Sequence, residues 1–179
     1  MDMGISFFFA NFEDITTVLF AMTTKTFSTS YEVYSSMDEL SKEDRELCQA
    51  ALEGQKGSYA PYSHFNVGAA VRLSSGVIVK GSNQENAAYP SGLCAERTTM
   101  FWASANYPND DLISLAVCGG PNGTVCDEPA SPCGACRQVM AQYQIKSGKP
   151  MSVILIGGKE IWKFSCVDDI LPFIFTSLE

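Results

Sequence analysis

Basic residues are scarce in this sequence. Twelve Lys and Arg stand against 20 Asp and Glu, a net charge of −8 over 179 residues. That balance argues against a surface built for nucleic acid, whose binding draws mostly on Lys and Arg at phosphates. A small, neutral partner fits better. Histidine is nearly missing too, His64 being the single one. No segment reaches the roughly 18 uninterrupted apolar residues of a membrane span, so no embedding in a bilayer is expected. Internal repeats and low-complexity linkers are also lacking. The seven cysteines are an odd number, and their spacing does not match a small disulfide scaffold. Reduced thiols in a cytoplasmic protein are the expectation. The opening "MDMGISFFFANFEDITTVLFAM" carries Glu13 and Asp14 in its middle and lacks both a basic stretch and a small-residue cleavage site. It does not read as a secretory leader.

With 46% apolar residues, the chain is long enough for one well-buried domain and short for two. Residues 1–24 are Phe-rich without periodicity and are set apart as an N-terminal extension, with Met22 as an alternative start to Met1. Residues 25–179 are read as a single domain. "KTFSTSYEVYS" has strand propensity and can lie at a sheet edge. "SKEDRELCQAALEGQKG" reads as a helix, with Ser41 and acidic residues at its start and glycine at its end. "FNVGAAVRL" and "VIVKG" predict a hairpin turning at Ser74-Ser75-Gly76. A helix is expected from Leu93 to about Ala105, a buried strand in "DLISLAVCGG", a helix from near Pro132, and a strand in "MSVILIGG". A return strand over Lys159 to Phe164 and a short helix over Val167 to Leu171 complete the chain. This order predicts an α/β fold of three layers, α-β-α, around a five-stranded mixed sheet. The short Gly157-Gly158 connection favours a fifth strand antiparallel to the fourth.

The chemistry is concentrated in "SGLCAERTTM" and "SPCGACRQVM". Cys94 and the pair Cys133 and Cys136 each sit where a loop enters a helix, and a helix start favours thiolate, the form that binds metal. Residues three apart on a helix share a face, so Cys133 and Cys136 can converge on one ion. Three protein ligands with a fourth position left for water describe a catalytic zinc. Glu96, two residues after Cys94, is placed to move protons without ligating. Three thiolates on Zn²⁺ leave a net charge near −1, which Arg97 and Arg137 are placed to offset through hydrogen bonds to sulfur.

The succession "APYSHFNVGAAV", "NQENAAYPSGLCAERT" and "SPCGACRQVM" resembles cytidine deaminases, in particular the small, homotetrameric, three-cysteine branch of the cytidine/deoxycytidylate deaminase family. The likeness spans about Ser58 to Gln142. A ligand, a Glu two residues on, and then Pro-Cys-x-x-Cys is the recognised signature of zinc nucleobase deaminases. The resemblance implies Cys94, Cys133 and Cys136 as ligands of one Zn²⁺ per chain, Arg97 beside them, and Glu96 as the proton shuttle. It also implies Phe65 in the pyrimidine pocket, Asn83 and Glu85 at the ribose hydroxyls, and backbone hydrogen bonds from Ala95 to the base. Ala87, Tyr89 and Phe175, with Phe173 as a rival for the last role, would close a neighbouring subunit's pocket in a homotetramer. The implied reaction is hydrolysis of cytidine and deoxycytidine to uridine and deoxyuridine in cytoplasmic pyrimidine salvage, a zinc-activated hydroxide adding at C4 of the ring.

Other readings remain open on the sequence. One joins Cys126 to the other three in a closed Cys₄ zinc site with no room for water. Another has Cys133 and Cys136 cycle as a dithiol, which leaves Cys94 and Glu96 unexplained. Blasticidin-type and polynucleotide deaminases share the metal motif. His64 is read as solvent-facing, and Cys48, Cys118 and Cys166 as packing residues.

Overall fold

The computed structural model describes residues 23–176. Apart from residues 23 and 24, the N-terminal extension lies outside them. The elements follow in the order β1 (Glu32–Tyr34), α1 (Lys42–Gln55), β2 (Phe65–Leu73), β3 (Ile78–Ser82), α2 (Ala95–Asn106), β4 (Leu112–Pro121), α3 (Gly134–Ser147), β5 (Ser152–Ile156) and β6 (Ile161–Phe164). The helix boundaries have local causes. Ser41 caps α1 by accepting a hydrogen bond from the Asp44 amide at 3.0 Å, which satisfies one of the free donors of the first turn. Gly148 ends α3 in the left-handed region at φ 65°, where glycine carries no steric cost. In the β2–β3 hairpin Gly76 takes φ 90°.

The strands form one sheet in the order β1-β6-β5-β4-β2-β3. The β4–β5 pair is parallel, with α3 as its crossover, and the remaining pairs are antiparallel. The return of β6 along β5 at Gly157-Gly158 is thus antiparallel, as the short connection requires. The sheet has six strands rather than the expected five. The added member is β1, three residues long, which pairs antiparallel with β6 through Glu32 opposite Lys163 and Val33 opposite Trp162. Strand propensity in "KTFSTSYEVYS" pointed to this edge position, but so short a segment did not enter the count of five. The final helix is likewise shorter than expected, a single 3₁₀ turn over Val167–Asp169.

Alternation along the strands sends side chains to two cores. Leu115 and Val117 of β4, with Val153 and Leu155 of β5, face Met100 and Ala103 of α2 and Met140 and Ala141 of α3. Ala116 and Cys118, with Ile154 and Ile156, face Leu47, Cys48 and Ala51 of α1. The Cys48 and Cys118 thiols are fully buried, and loss of hydration pushes them up to about 12 and about 11, so both are inert packing groups. Helix α1 lies unusually close to the sheet because glycines face it. A Cβ added at Gly68 would come within 2.1 Å of the Ala51 carbonyl and 2.4 Å of the Gln55 amide. Both neighbours are backbone, which cannot swing away. Gly68→Ala is therefore expected to cost about 3 kcal/mol or more and to lower Tm on the order of 10 °C in a thermal melt. An unchanged Tm would mean that α1 is seated farther from the sheet.

Candidate metal centre and pocket

The starts of α2 and α3 meet, and the three sulfurs meet with them. Cys94 is the N-cap of α2 and Cys133 the N-cap of α3, in nearly the same extended conformation, φ −68° and ψ 154° against φ −67° and ψ 162°. Neither side chain caps its own helix; both turn toward the other helix and toward Cys136, one turn into α3. Cys133 Sγ lies 3.5 Å from Cys136 Sγ and 3.9 Å from Cys94 Sγ, and all three sulfurs fall within 4.8 Å of one another. Zinc–thiolate bonds of about 2.3 Å at tetrahedral angles place sulfurs about 3.8 Å apart. The cluster fits that ion.

The electrostatics lead to the same ion. The Cys94 thiol is lowered to about 5, first by a hydrogen bond from the Cys136 thiol and then by Arg97, against the opposing effect of burial. Cys136 moves the opposite way, driven up by its bond to Cys94 and by burial. The Cys94 thiolate is thus stabilised at the expense of Cys136, and a cation between them would relieve that conflict. The Arg97 guanidinium contributes from outside the cluster, Nη2 standing 3.9 Å from Cys94 Sγ. Arg137 does not. Its Nε donates to the Pro132 carbonyl at 2.9 Å and its Nη1 to the Ile170 carbonyl at 2.7 Å, so it braces the loop before Cys133 and the C-terminal segment instead of the sulfurs.

Glu96 is 3% exposed, and burial is the main cause that pushes its carboxyl above the usual range. It opens, with Cys94 and Cys133, on a cavity of about 190 Å³ whose walls include Phe65, Val67, Val117 and Asn83. That space suits one planar ring more than a larger ligand. Ala95 is buried at the head of α2, where its amide has no acceptor within the helix. Beside this cavity a second hollow of about 290 Å³ shares Asn83 and Cys94 and adds Glu85, Tyr89 and Arg97.

Asn83 and Glu85 are held firmly. Asn83 Oδ1 accepts from the Val67 amide at 2.8 Å and from the Ser58 hydroxyl, while its Nδ2 donates to the Phe65 carbonyl at 2.9 Å. With both lone pairs engaged, the side chain offers outward one N–H donor. Glu85 accepts from the Ser63 hydroxyl and from the Tyr62 amide at 2.9 Å, and these bonds, the hydroxyl first, lower its carboxyl. It remains an acceptor. Ser58 and Ser63 were invisible as site residues in the sequence, where each looks like ordinary turn serine. Val67, Val117, Ala130 and Ser131 were also missed as cavity walls.

Of the remaining expected contacts Tyr89 borders the second hollow, while Ala87, Phe175 and Phe173 line neither space. Ala87 is exposed, Tyr89 is 78% exposed, and Phe175 and its rival Phe173 are 61% and 86% exposed. Cys126 stands apart from the three-sulfur group, its backbone tied to Gly119 and Gly158. His64 is exposed in the left-handed region at φ 55° and belongs to no metal-ligating group among the described residues. Cys166 is half-buried and raised by burial. Among the described residues no helix is long and apolar enough to cross a membrane.

Comparison with known proteins bears on this geometry. Residues 41–149 match the family model described as the cytidine and deoxycytidylate deaminase zinc-binding region. The cytidine deaminase of Halalkalibacterium halodurans is 42% identical over 96 residues, 54% of this chain and 68% of that protein. That of Sporosarcina psychrophila is 41% identical over 97 residues, 54% and 67% respectively. Among solved structures, the cytidine deaminase of Burkholderia pseudomallei superimposes with a TM-score of 0.62 at 39% identity, covering 73% of this chain and 97% of that one. The Mycobacterium tuberculosis enzyme superimposes with a TM-score of 0.58 at 30% identity, covering 74% and 96%. The three-sulfur cluster, the buried glutamate beside it and the extent of these matches agree: the chain belongs to the cytidine and deoxycytidylate deaminases, enzymes built on one bound zinc.

Proposed function

We propose that the chain hydrolyses cytidine and deoxycytidine to uridine and deoxyuridine, as a step of cytoplasmic pyrimidine salvage. The observation that carries this reading is the opening of one cavity of about 190 Å³ onto both the sulfur cluster and the buried carboxyl of Glu96. Cys94, Cys133 and Cys136 hold the zinc. When bound, the metal supplies a water acidified enough to act as a nucleophile at C4 of the ring. Glu96 accepts a proton as this water adds at C4 and delivers it to ring N3; it then takes the proton of the new C4 hydroxyl and passes it to the amino group, which leaves as ammonia while the C4 carbonyl forms. Its burial suits the task, since a carboxylate short of hydration takes up a proton readily. Arg97 offsets part of the thiolate charge, which would otherwise keep the water weakly acidic.

Phe65 packs against the flat face of the pyrimidine, and the Ala95 amide donates to the base. Asn83 gives one N–H and Glu85 takes one O–H, a pair complementary to a sugar hydroxyl acting as acceptor and donor at once. Both contacts address one side of the sugar and do not need a 2′-hydroxyl, which is why both nucleosides are named. The acidic surface disfavours a polynucleotide substrate. Ala87, Tyr89 and Phe175, exposed in the single chain, cover the pocket of a neighbouring subunit in a homotetramer. A solution mass matching one chain would contradict that shared pocket.

Ammonia release is the direct test of substrate, run on zinc-loaded protein with cytidine, deoxycytidine, cytidine monophosphate, adenosine and blasticidin S in parallel. Turnover on the two cytosine nucleosides is expected, and blasticidin S as the better substrate would overturn the assignment. Glu96→Gln should keep one zinc per chain by elemental analysis while kcat falls by about 10²- to 10⁴-fold, the span of a lost general acid–base group. Near-normal turnover in this variant would remove Glu96 from the mechanism. Metal content also separates the open site from a closed four-cysteine one. Cys126→Ser should retain one zinc per chain and full activity, and Cys94→Ser should lose both.

A further inference from the structure

The segment before β1 reaches across to the end of the chain. Tyr31 packs on Trp162 and Phe164 of β6, with ring centroids 5.3 Å and 5.1 Å apart. Two residues earlier, the Thr29 hydroxyl donates to the Asp169 carbonyl at 2.7 Å. Phe27 then meets Phe173 at 6.4 Å between centroids. These three contacts lie one after another along an extended arm, and their partners run in order along β6 and the C-terminal segment. The arm is held at its base by the β1–β6 ladder.

The C-terminal segment is in turn fastened to α3, the helix that begins at the metal cluster. Arg137 donates to the Ile170 carbonyl at 2.7 Å and Gln138 Nε2 to the Phe175 carbonyl at 2.8 Å. Gln144 bonds both the Asp168 carboxylate, at 2.6 Å, and the Val167 amide, at 2.9 Å. Ile174 packs half-buried against the core between these anchors. Residues 167–175 therefore lie between two supports, α3 on one side and the arm on the other. Holding the Asp169 carbonyl and the Phe173 ring narrows the directions in which the exposed Phe175 ring can point.

We infer that the arm residues Phe27 and Thr29 are positioning residues for substrate binding: they clasp the C-terminal segment so that Phe175 is presented to the pocket it covers. This deepens the proposed function and rests on the role given there to Phe175. Phe27 and Thr29 border neither the cavity at Glu96 nor the hollow beside it, so their loss leaves proton transfer and metal binding alone. What it changes is the entropy lost when the ring orders over a bound nucleoside, which appears in KM and not in kcat.

The test uses full-length, zinc-loaded protein carrying Phe27→Ala and Thr29→Val together, with Thr29→Ser as the variant that keeps the hydroxyl. The double variant should raise KM for cytidine by about fivefold, the scale of one or two weak contacts, with kcat and zinc content unchanged and faster amide hydrogen exchange over residues 168–175. Thr29→Ser should behave as the unaltered protein. In a background of Phe175→Ala, which itself raises KM, the arm substitutions should add nothing, because the group they act through is gone. A raised KM in Phe175→Ala alongside unaltered KM and exchange in the arm variants would overturn the clasp alone. An unaltered KM in Phe175→Ala would overturn both the clasp and the pocket role of that ring, with turnover by the unaltered protein still supporting the deaminase reading.

Discussion

Three sulfurs within 4.8 Å of one another are the constraint on which the rest of the structure depends. Left to themselves Cys94 and Cys136 resist shared ionisation, as their opposite displacements indicate. Two features reduce that cost. Both N-cap cysteines sit at the positive ends of helices, where free amides favour negative charge, and Arg97 adds a full charge beside Cys94. The sheet supplies the positions. Helices α2 and α3 pack on one face of it, and the parallel β4–β5 crossover sets where α3 must begin.

Around that centre the polar groups divide by rigidity. Asn83 and Glu85 are fixed by backbone amides and by serines on the loop ahead of β2, so the pair proposed for the sugar is held in place by the protein itself. Glu96 is instead surrounded by apolar walls with few partners, the condition in which a carboxyl changes protonation readily. The 190 Å³ cavity thus sets the firmly held Asn83 beside the buried Glu96, with Glu85 in the adjoining hollow.

Much of this was legible in the sequence, for reasons of distance along the chain. Cys133 and Cys136 lie within one helical turn, so local periodicity was enough to bring those two sulfurs together, and a recognised signature joined Cys94 and Glu96 to them. Apolar runs in β4 and β5 revealed the buried strands in the same way. What the sequence hid depends on partners remote along the chain. Arg137 neighbours Cys136, yet its guanidinium is taken by a carbonyl 33 residues away. Ser58 is spent on Asn83, 25 residues on. Strand β1 has no identity apart from β6, and three residues carry no period of their own. Its pairing is a tertiary fact.

The two margins of the sheet have a consequence for behaviour at high concentration. Unpaired strand edges are templates for another chain, and edge-to-edge growth is a common route to aggregation. Here one margin is β1, three residues long with Glu32 exposed. The other is β3, five residues long, with exposed Lys80 paired to Glu53 at 2.7 Å. A stacking strand would find few free backbone groups and a charge at either side. Without β1 the outer margin would be β6, whose Ile161-Trp162-Lys163-Phe164 is a far more adhesive surface. The short segment that escaped counting as a strand is thus what keeps that edge from recruiting further chains.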